Sequence, residues 1–335
     1  MVTKWEYSLD HEVLRLLHTA HQTGNGFYKL SGFIVMPFPQ SHSNGRIVPI
    51  PDLTYQNIPR FWKRVTRIDP KNLPSKNHYI DPELISDTKK LLISANLPTP
   101  DFSSVQLAWA KYENQIIDAI YSLIPSKKNS ISSITIWPTT MGTGASFNIY
   151  NQKSHDIYIW LREDKGIATI VEAILTSLTR NDVYENLAGI WQESEFLVDW
   201  LMAYSPLNEI IRKIDPDWNS TLTIKNTRTK QDGSLTEKSE QFLQKLGIPS
   251  ADPVNVEHVV FSPREKEIMD LLVNSSPHPV SSDQIGDILF KTKPEEYSLF
   301  AISKTIQRLR DKLEQNGISG SFIQTKRGEG YLLVS

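Results

Sequence analysis

The sequence predicts an α+β protein: a mixed α+β region over residues 1–224, a polar connection with a short helix over 225–256, and three helices closed by a β-hairpin over 257–335. Three observations predict it. Near the C-terminus Ile302, Ile306, Leu309 and Leu313 recur at steps of four, three and four, one stripe of a helix with about 3.6 residues per turn. Directly after it, Asn316-Gly317 tolerates the left-handed conformation on which helices end, and Ser321 to Thr325, Lys326 to Gly330 and Tyr331 to Val334 read as strand, tight turn and return strand. Far upstream, residues 132–160 hold the apolar β-branched and aromatic runs of a sheet, between segments with helical periodicity.

The residues before the C-terminal stripe supply two more helices. Ser262 is placed to cap the first, with Pro263 at its first position and Glu265 as the reciprocal partner; Ile268, Leu271 and Leu272 face inward. Ser281 or Ser282 can cap the second, which carries Ile285, Ile288, Leu289 and Phe290. Three helices and a hairpin in this order make a winged helix-turn-helix. Away from its apolar stripe, the third helix carries Ser303, Lys304, Thr305, Gln307, Arg308, Arg310 and Lys312, donors of the kind that reach phosphates and base edges.

The runs FSPREKEIMDLL, VSSDQIGDILF, AISKTIQRLRDKLEQNG and IQTKRGEGYLL resemble the OmpR/PhoB-type winged-helix DNA-binding domain of bacterial transcriptional regulators. That resemblance implies double-stranded DNA as partner, a recognition helix in the major groove and Arg327 of the wing at the minor groove. Carried over by position, the DNA-facing residues would be Ser303, Lys304, Thr305, Gln307, Arg308, Arg310, Thr325 and Arg327. Two departures stand out: the loop Lys291 to Ser298 is particular to this chain, and the recognition helix has fewer arginines than many relatives. One such module gives limited affinity, so self-association as a dimer or tandem binding is expected, with half-sites about one helical turn apart.

Charge is placed to suit this. From Phe300 onward six Lys/Arg face three Asp/Glu, whereas Glu257 to Leu299 holds four against eight. Phosphates respond to the local field, so a chain of net charge −2 can still bind DNA, although a globally basic binder is excluded. The chain has no cysteine, which removes disulfides, thiolate metal sites and thiol catalysis. No apolar window reaches the roughly 20 residues of a membrane span, and no basic-then-apolar leader opens the chain. A cytoplasmic location without membrane contact is expected.

Residues 1–224 carry no site that the sequence can assemble. Asp10 to Gln22 reads as a helix in which His18 and His21 have a metal-capable spacing but no third ligand, so both are read as surface or packing residues. Lys29 to Met36 reads as a strand, Arg46 to Ile50 as extended. Tyr55 to Thr66 reads as a helix with Trp62; its basic neighbours Arg60, Lys63, Arg64 and Arg67 could touch nucleic acid but are read as a solvated face. Asp81 to Ala95 and a longer helix ending near Leu123 follow. Gly142-Thr143-Gly144 lacks a following helix and a Gly-Lys-Ser/Thr, so it is a turn and not a phosphate cradle.

Strands, then a helix from Gly166 to Arg180, then an acidic helix from Ile190 to Tyr204 weakly resemble a minimal zinc-peptidase scaffold. Its His-Glu-x-x-His would fall on Val171-Glu172-Ala173-Ile174-Leu175; the glutamate stands, and aliphatics replace both nitrogen ligands. No metal, cofactor or catalysis is expected. The βα alternation and acidic pair of a phosphoacceptor domain are also missing. A ligand or protein partner for residues 1–224 is expected but not identified. Two alternatives stay open: a DNA-tethered enzyme with an unrecognised N-terminal site, and a winged helix used for protein contacts.

Overall fold

The computed structural model describes residues 3–30, 33–38, 47–68, 80–148, 156–187, 191–215, 218, 233–248, 259–275, 278–315, 320–326 and 328–333. Helices and strands are mixed throughout, an α+β architecture. The first part runs β1 (Lys4–Trp5), α1 (Leu9–Gly24), α2 (Phe27–Leu30), β2 (Ile34–Phe38), β3 (Ile47–Pro51), α3 (Phe61–Val65), α4 (Pro82–Ala95), α5 (Ser103–Leu123), β4 (Ser133–Thr139), β5 (Ala145–Phe147), β6 (Asp156–Arg162), α6 (Ile167–Asn181), α7 (Trp191–Tyr204), α8 (Pro206–Ile214) and α9 (Gly233–Lys245). The second part runs α10 (Pro263–Ser275), α11 (Ser282–Leu289), α12 (Leu299–Gln315), β7 (Ile323–Lys326) and β8 (Gly330–Leu333).

The main sheet has the order β1-β4-β6-β5. β1, β4 and β6 are parallel, with Lys4 opposite Thr135 and Trp137 opposite Trp160; β5 closes one edge antiparallel to β6. β2 and β3 form a separate parallel pair. The sheet expected within residues 132–160 is thus present, as β4, β5 and β6. A parallel sheet buried on both faces favours continuous apolar runs, and Ile134, Ile136, Ile157, Ile159 and Trp160 are all completely buried. One side packs on α5 and α6 through Ile116, Ile120, Ile170 and Ile174. The other packs on α1 through Leu16, Leu17, Trp137 and Trp160.

Local signals set most helix starts. Ser8 Oγ accepts from the His11 amide at the start of α1, and Asp81 caps α4 through the Glu83 amide. The strand expected from Lys29 to Met36 is displaced: residues 27–30 are helical and the strand begins at Ile34. The single helix expected from Tyr55 to Thr66 is a 3-10 turn, Tyr55–Asn57, followed by the five-residue α3. Helix α8, capped by Ser205 with Pro206 at its first turn, has no counterpart in the sequence reading.

The short helix expected within 225–256 forms as α9 and docks on the first part. Phe242, Leu246 and Ile248 join the core around α1 and β3. The Ser239 hydroxyl accepts from the Val35 amide, and Trp62 Nε1 donates to Leu246 O at 2.7 Å. Of the polar connection, read as flexible from Lys225 to Ser234, residues 225–232 lie outside the described residues, while Gly233 and Ser234 open α9. Val259 and Val260 lie in no strand, and Glu257 and His258 lie outside the described residues. The two parts touch where the Phe322 ring lies against Gly26, a Cβ on which would sit 3.0 Å from the ring.

Candidate nucleic-acid interface

Each helix of the C-terminal part starts where a side chain satisfies its free amides. The Ser262 amide donates to Glu265 Oε2 at 2.8 Å and the Glu265 amide to Ser262 Oγ at 3.4 Å. Ser281 and Gln284 form the same reciprocal pair at 2.9 and 3.1 Å. Such boxes contribute about 1 kcal/mol each. Between α11 and α12 the Tyr297 ring lies on Gly286, where a Cβ would come within 2.4 Å of it, and the Tyr297 hydroxyl donates to Asp283 Oδ1 at 2.8 Å. The turn into α12 is thereby fixed.

The expected stripe of α12 is the floor of the unit: Ile302, Ile306, Leu309 and Leu313 are each 0% exposed, packed with Ile268, Met269, Leu272, Ile285 and Leu333. Lys312 Nζ donates to Glu265 Oε2 at 2.6 Å, tying α12 to α10. Burial opposes ionisation of Glu265, but the Lys312 ammonium and the Ser262 amide and hydroxyl outweigh it and hold the carboxyl below its ordinary range. With its stripe down and one flank tied, α12 presents a defined outer row.

Ser303, Lys304, Gln307 and Arg308 are exposed along that row. Gln307 Nε2 donates to Asp311 Oδ1 at 2.9 Å, and Lys304 Nζ stands 6.0 Å above the Phe300 ring. Ser303 Oγ lies 3.2 Å from Tyr331 Oη. Thr305 and Arg310 are differently placed. Thr305 is 3% exposed; its hydroxyl donates to Ala301 O at 2.9 Å and accepts from Arg308 Nη2 at 3.0 Å. Arg310 is half-buried and turns to the hairpin, donating from Nε to Ile323 O and from Nη2 to Thr325 Oγ1, both at 3.0 Å. An α-helix spreads consecutive residues through about 100° each, so Arg310 leans to the wing side while Lys304 and Gln307 point outward.

The hairpin pairs Thr325 with Tyr331 and Lys326 with Gly330. Its turn contains Gly328 at φ +78° and closes on Gly330 at φ +123°. At Gly330 a Cβ would lie 2.0 Å from Val280 O, because the next residue, Tyr331, exchanges both backbone hydrogen bonds with Val280. Only glycine fits that approach. Thr325 is half-buried and Lys326 exposed. Arg327, and the Asn316-Gly317 helix stop, lie outside the described residues. The structure therefore brings Ser303, Lys304, Gln307, Arg308 and Lys326 to the surface of one helix-and-hairpin unit, with Thr305, Arg310 and Thr325 joining its pieces.

Phe300 stands outside the expected set, yet it is 76% exposed at the first turn of α12. Its signal in the sequence is its spacing, four before Lys304 and seven before Gln307, which sets it in the outer row.

In the first part, Val171 and Leu175 are completely buried in the α6 core, and no group of three or more metal-capable side chains occurs among the described residues. His18 and His21 pack inside: His18 stacks on Trp160, and His21 Nδ1 lies 2.8 Å from Val65 O. Gly142 to Gly144 form a turn filled from below by Arg15, which donates to Met141 O and Thr143 O, while Arg162 donates to Gly142 O. Among the described residues no helix is long and apolar enough to cross a membrane.

Comparison with known proteins bears on the C-terminal part. Residues 256–333 match the family model described as transcriptional regulatory protein, C terminal. No curated protein and no solved structure matches the chain.

Proposed function

We propose, from the match of residues 256–333 to the C-terminal domain of transcriptional regulatory proteins, that the whole chain is a sequence-specific DNA-binding regulator that docks α12 in the major groove and its hairpin at the minor groove. One observation carries this reading: the exposed row Ser303, Lys304, Gln307 and Arg308 lies on a helix whose partner hairpin is held against it by Arg310. A rigid helix and wing can meet adjacent grooves together, and cationic or polar side chains on both supply phosphate contacts and base reading.

In this reading Arg308 and Gln307 reach base edges, Lys304 and Lys326 hold phosphates, and Arg327 enters or borders the minor groove. Thr305 and Arg310 act from beneath: Thr305 steadies Arg308, and Arg310 with Thr325 sets the wing. Self-association doubles the contact, since one module of this size gives limited affinity. The first part, with α9 docked on it, serves regulation and not chemistry, through a ligand or partner still to be found.

Selection of bound fragments from a random duplex pool by the full chain tests this. A recovered motif, with half-sites spaced by about one helical turn, is the expected result. Recovery of no sequence above the input pool contradicts it.

A further inference from the structure

The outer row of α12 contains one residue that neither charge nor hydrogen bonding explains. Phe300 is 76% exposed, and its neighbour Leu299 is 60% exposed. The core of the unit is built from Ile302, Ile306, Leu309, Leu313 and their partners, with Phe261, Leu271, Ile288, Leu289, Phe290 and Phe322 at its margin. Phe300 belongs to neither group. It does not lack for order, because Lys304 stands over its ring at 6.0 Å, a cation held near an aromatic face.

Helical spacing puts Phe300 on the line of Lys304, Gln307 and Asp311, at positions i, i+4, i+7 and i+11. This is the outward line, opposite the buried stripe. It is also the N-terminal turn of the helix, the end from which recognition helices contact base edges. A phenyl ring there offers no hydrogen bond to a donor–acceptor pattern. The one apolar group that a standard base pair shows in the major groove is the C5-methyl of thymine. The ammonium of Lys304 beside the ring attracts the phosphates that flank such a base, so charge and apolar surface are both matched by a duplex.

We infer that Phe300 reads the thymine methyl group at one position of each half-site and so determines specificity there. The inference rests on the proposed major-groove docking of α12. It makes this chain's preference partly hydrophobic, in keeping with the small number of arginines on the helix.

The test uses duplexes recovered by selection with the full chain, resynthesised with uracil replacing thymine one position at a time. Uracil pairs as thymine does and lacks only the methyl. At one position per half-site the wild-type chain should lose about three- to five-fold in affinity, the value of one buried methyl. Phe300→Ala should bind the thymine duplex as weakly as wild type binds the uracil one, and should show no further loss with uracil. Phe300→Leu should keep part of the discrimination. The exposure of the ring makes all three proteins foldable, which thermal unfolding checks. If the wild type binds but no uracil position matters, or if Phe300→Ala keeps the same uracil sensitivity, the inference is overturned while groove docking stands. If no duplex is bound at all, groove docking falls and takes the inference with it.

Discussion

Arg310 and Thr325 are joined by a 3.0 Å hydrogen bond from the guanidinium Nη2 to the hydroxyl, while Arg310 Nε holds Ile323 O of the same strand. These two contacts fix the angle between α12 and its hairpin. Removing them with Arg310→Ala should cost about 1–2 kcal/mol of stability, the range for a charged donor at a partly exposed site. It should also weaken DNA binding more than Arg310→Lys, which keeps charge but not the fork. Thermal unfolding and duplex titration check both; unchanged binding by Arg310→Ala would remove the role of the wing angle.

Arg308 lies over Thr305 at 3.0 Å and stays exposed. Arg308→Ala should relax sequence preference at one base pair of the half-site, by roughly 1–3 kcal/mol. Competition between selected and single-mismatch duplexes measures this. An equal loss on every sequence would make Arg308 a phosphate contact instead.

Gly330 has φ +123° and no room for a Cβ beside Val280 O. Gly330→Ala should destabilise the unit by about 3 kcal/mol, through strain and a lost bridge to Val280. Gly328→Ala, with open space around it, should cost less, since only its φ of +78° is unfavourable. Equal effects would show that the Val280 bridge does not set the hairpin.

Two carboxyls give opposite pH responses. Glu265 is held below its ordinary value in the folded state, so the stability it contributes is complete above about pH 4.5 and is lost as pH falls through the folded value. Glu265→Gln should flatten that acid limb. Glu12 is raised to about 7, by burial first, against hydrogen bonds from Thr139 and Thr140 and the charge of Arg15. Stability from its protonated form is complete below about pH 4.5 and lost as pH rises towards 7. Glu12→Gln, keeping the acceptor for the Thr139 hydroxyl, should therefore be relatively more stable at pH 8 than at pH 5. Urea unfolding at the two pH values decides; a pH-independent difference contradicts it.

The C-terminal helices were legible because their signals are local. Ser262 with Glu265, a serine cap at Ser281 or Ser282, and the Ile302 to Leu313 stripe lie within a few turns of chain; that Ser281 caps, paired with Gln284, came from the structure. The placement of Thr305 and Arg310 was not, because it depends on how deeply each side of the helix sinks and on a hairpin strand 13 to 15 residues away. In the first part, strand segments could be read, but not the parallel order β1-β4-β6, since pairing of Lys4 with Thr135 has no local trace. The docking of α9 is hidden for the same reason: Ser239 meets Val35 across some two hundred residues.

The most direct measurement is the salt dependence of duplex binding by the full chain, wild type against Arg308→Ala and Arg327→Ala. Log affinity should fall steeply and linearly with log salt for wild type, and Arg327→Ala should reduce that slope by about one while weakening all sequences alike. Binding that is independent of salt, or equal in all three proteins, would contradict a groove-docked helix and wing.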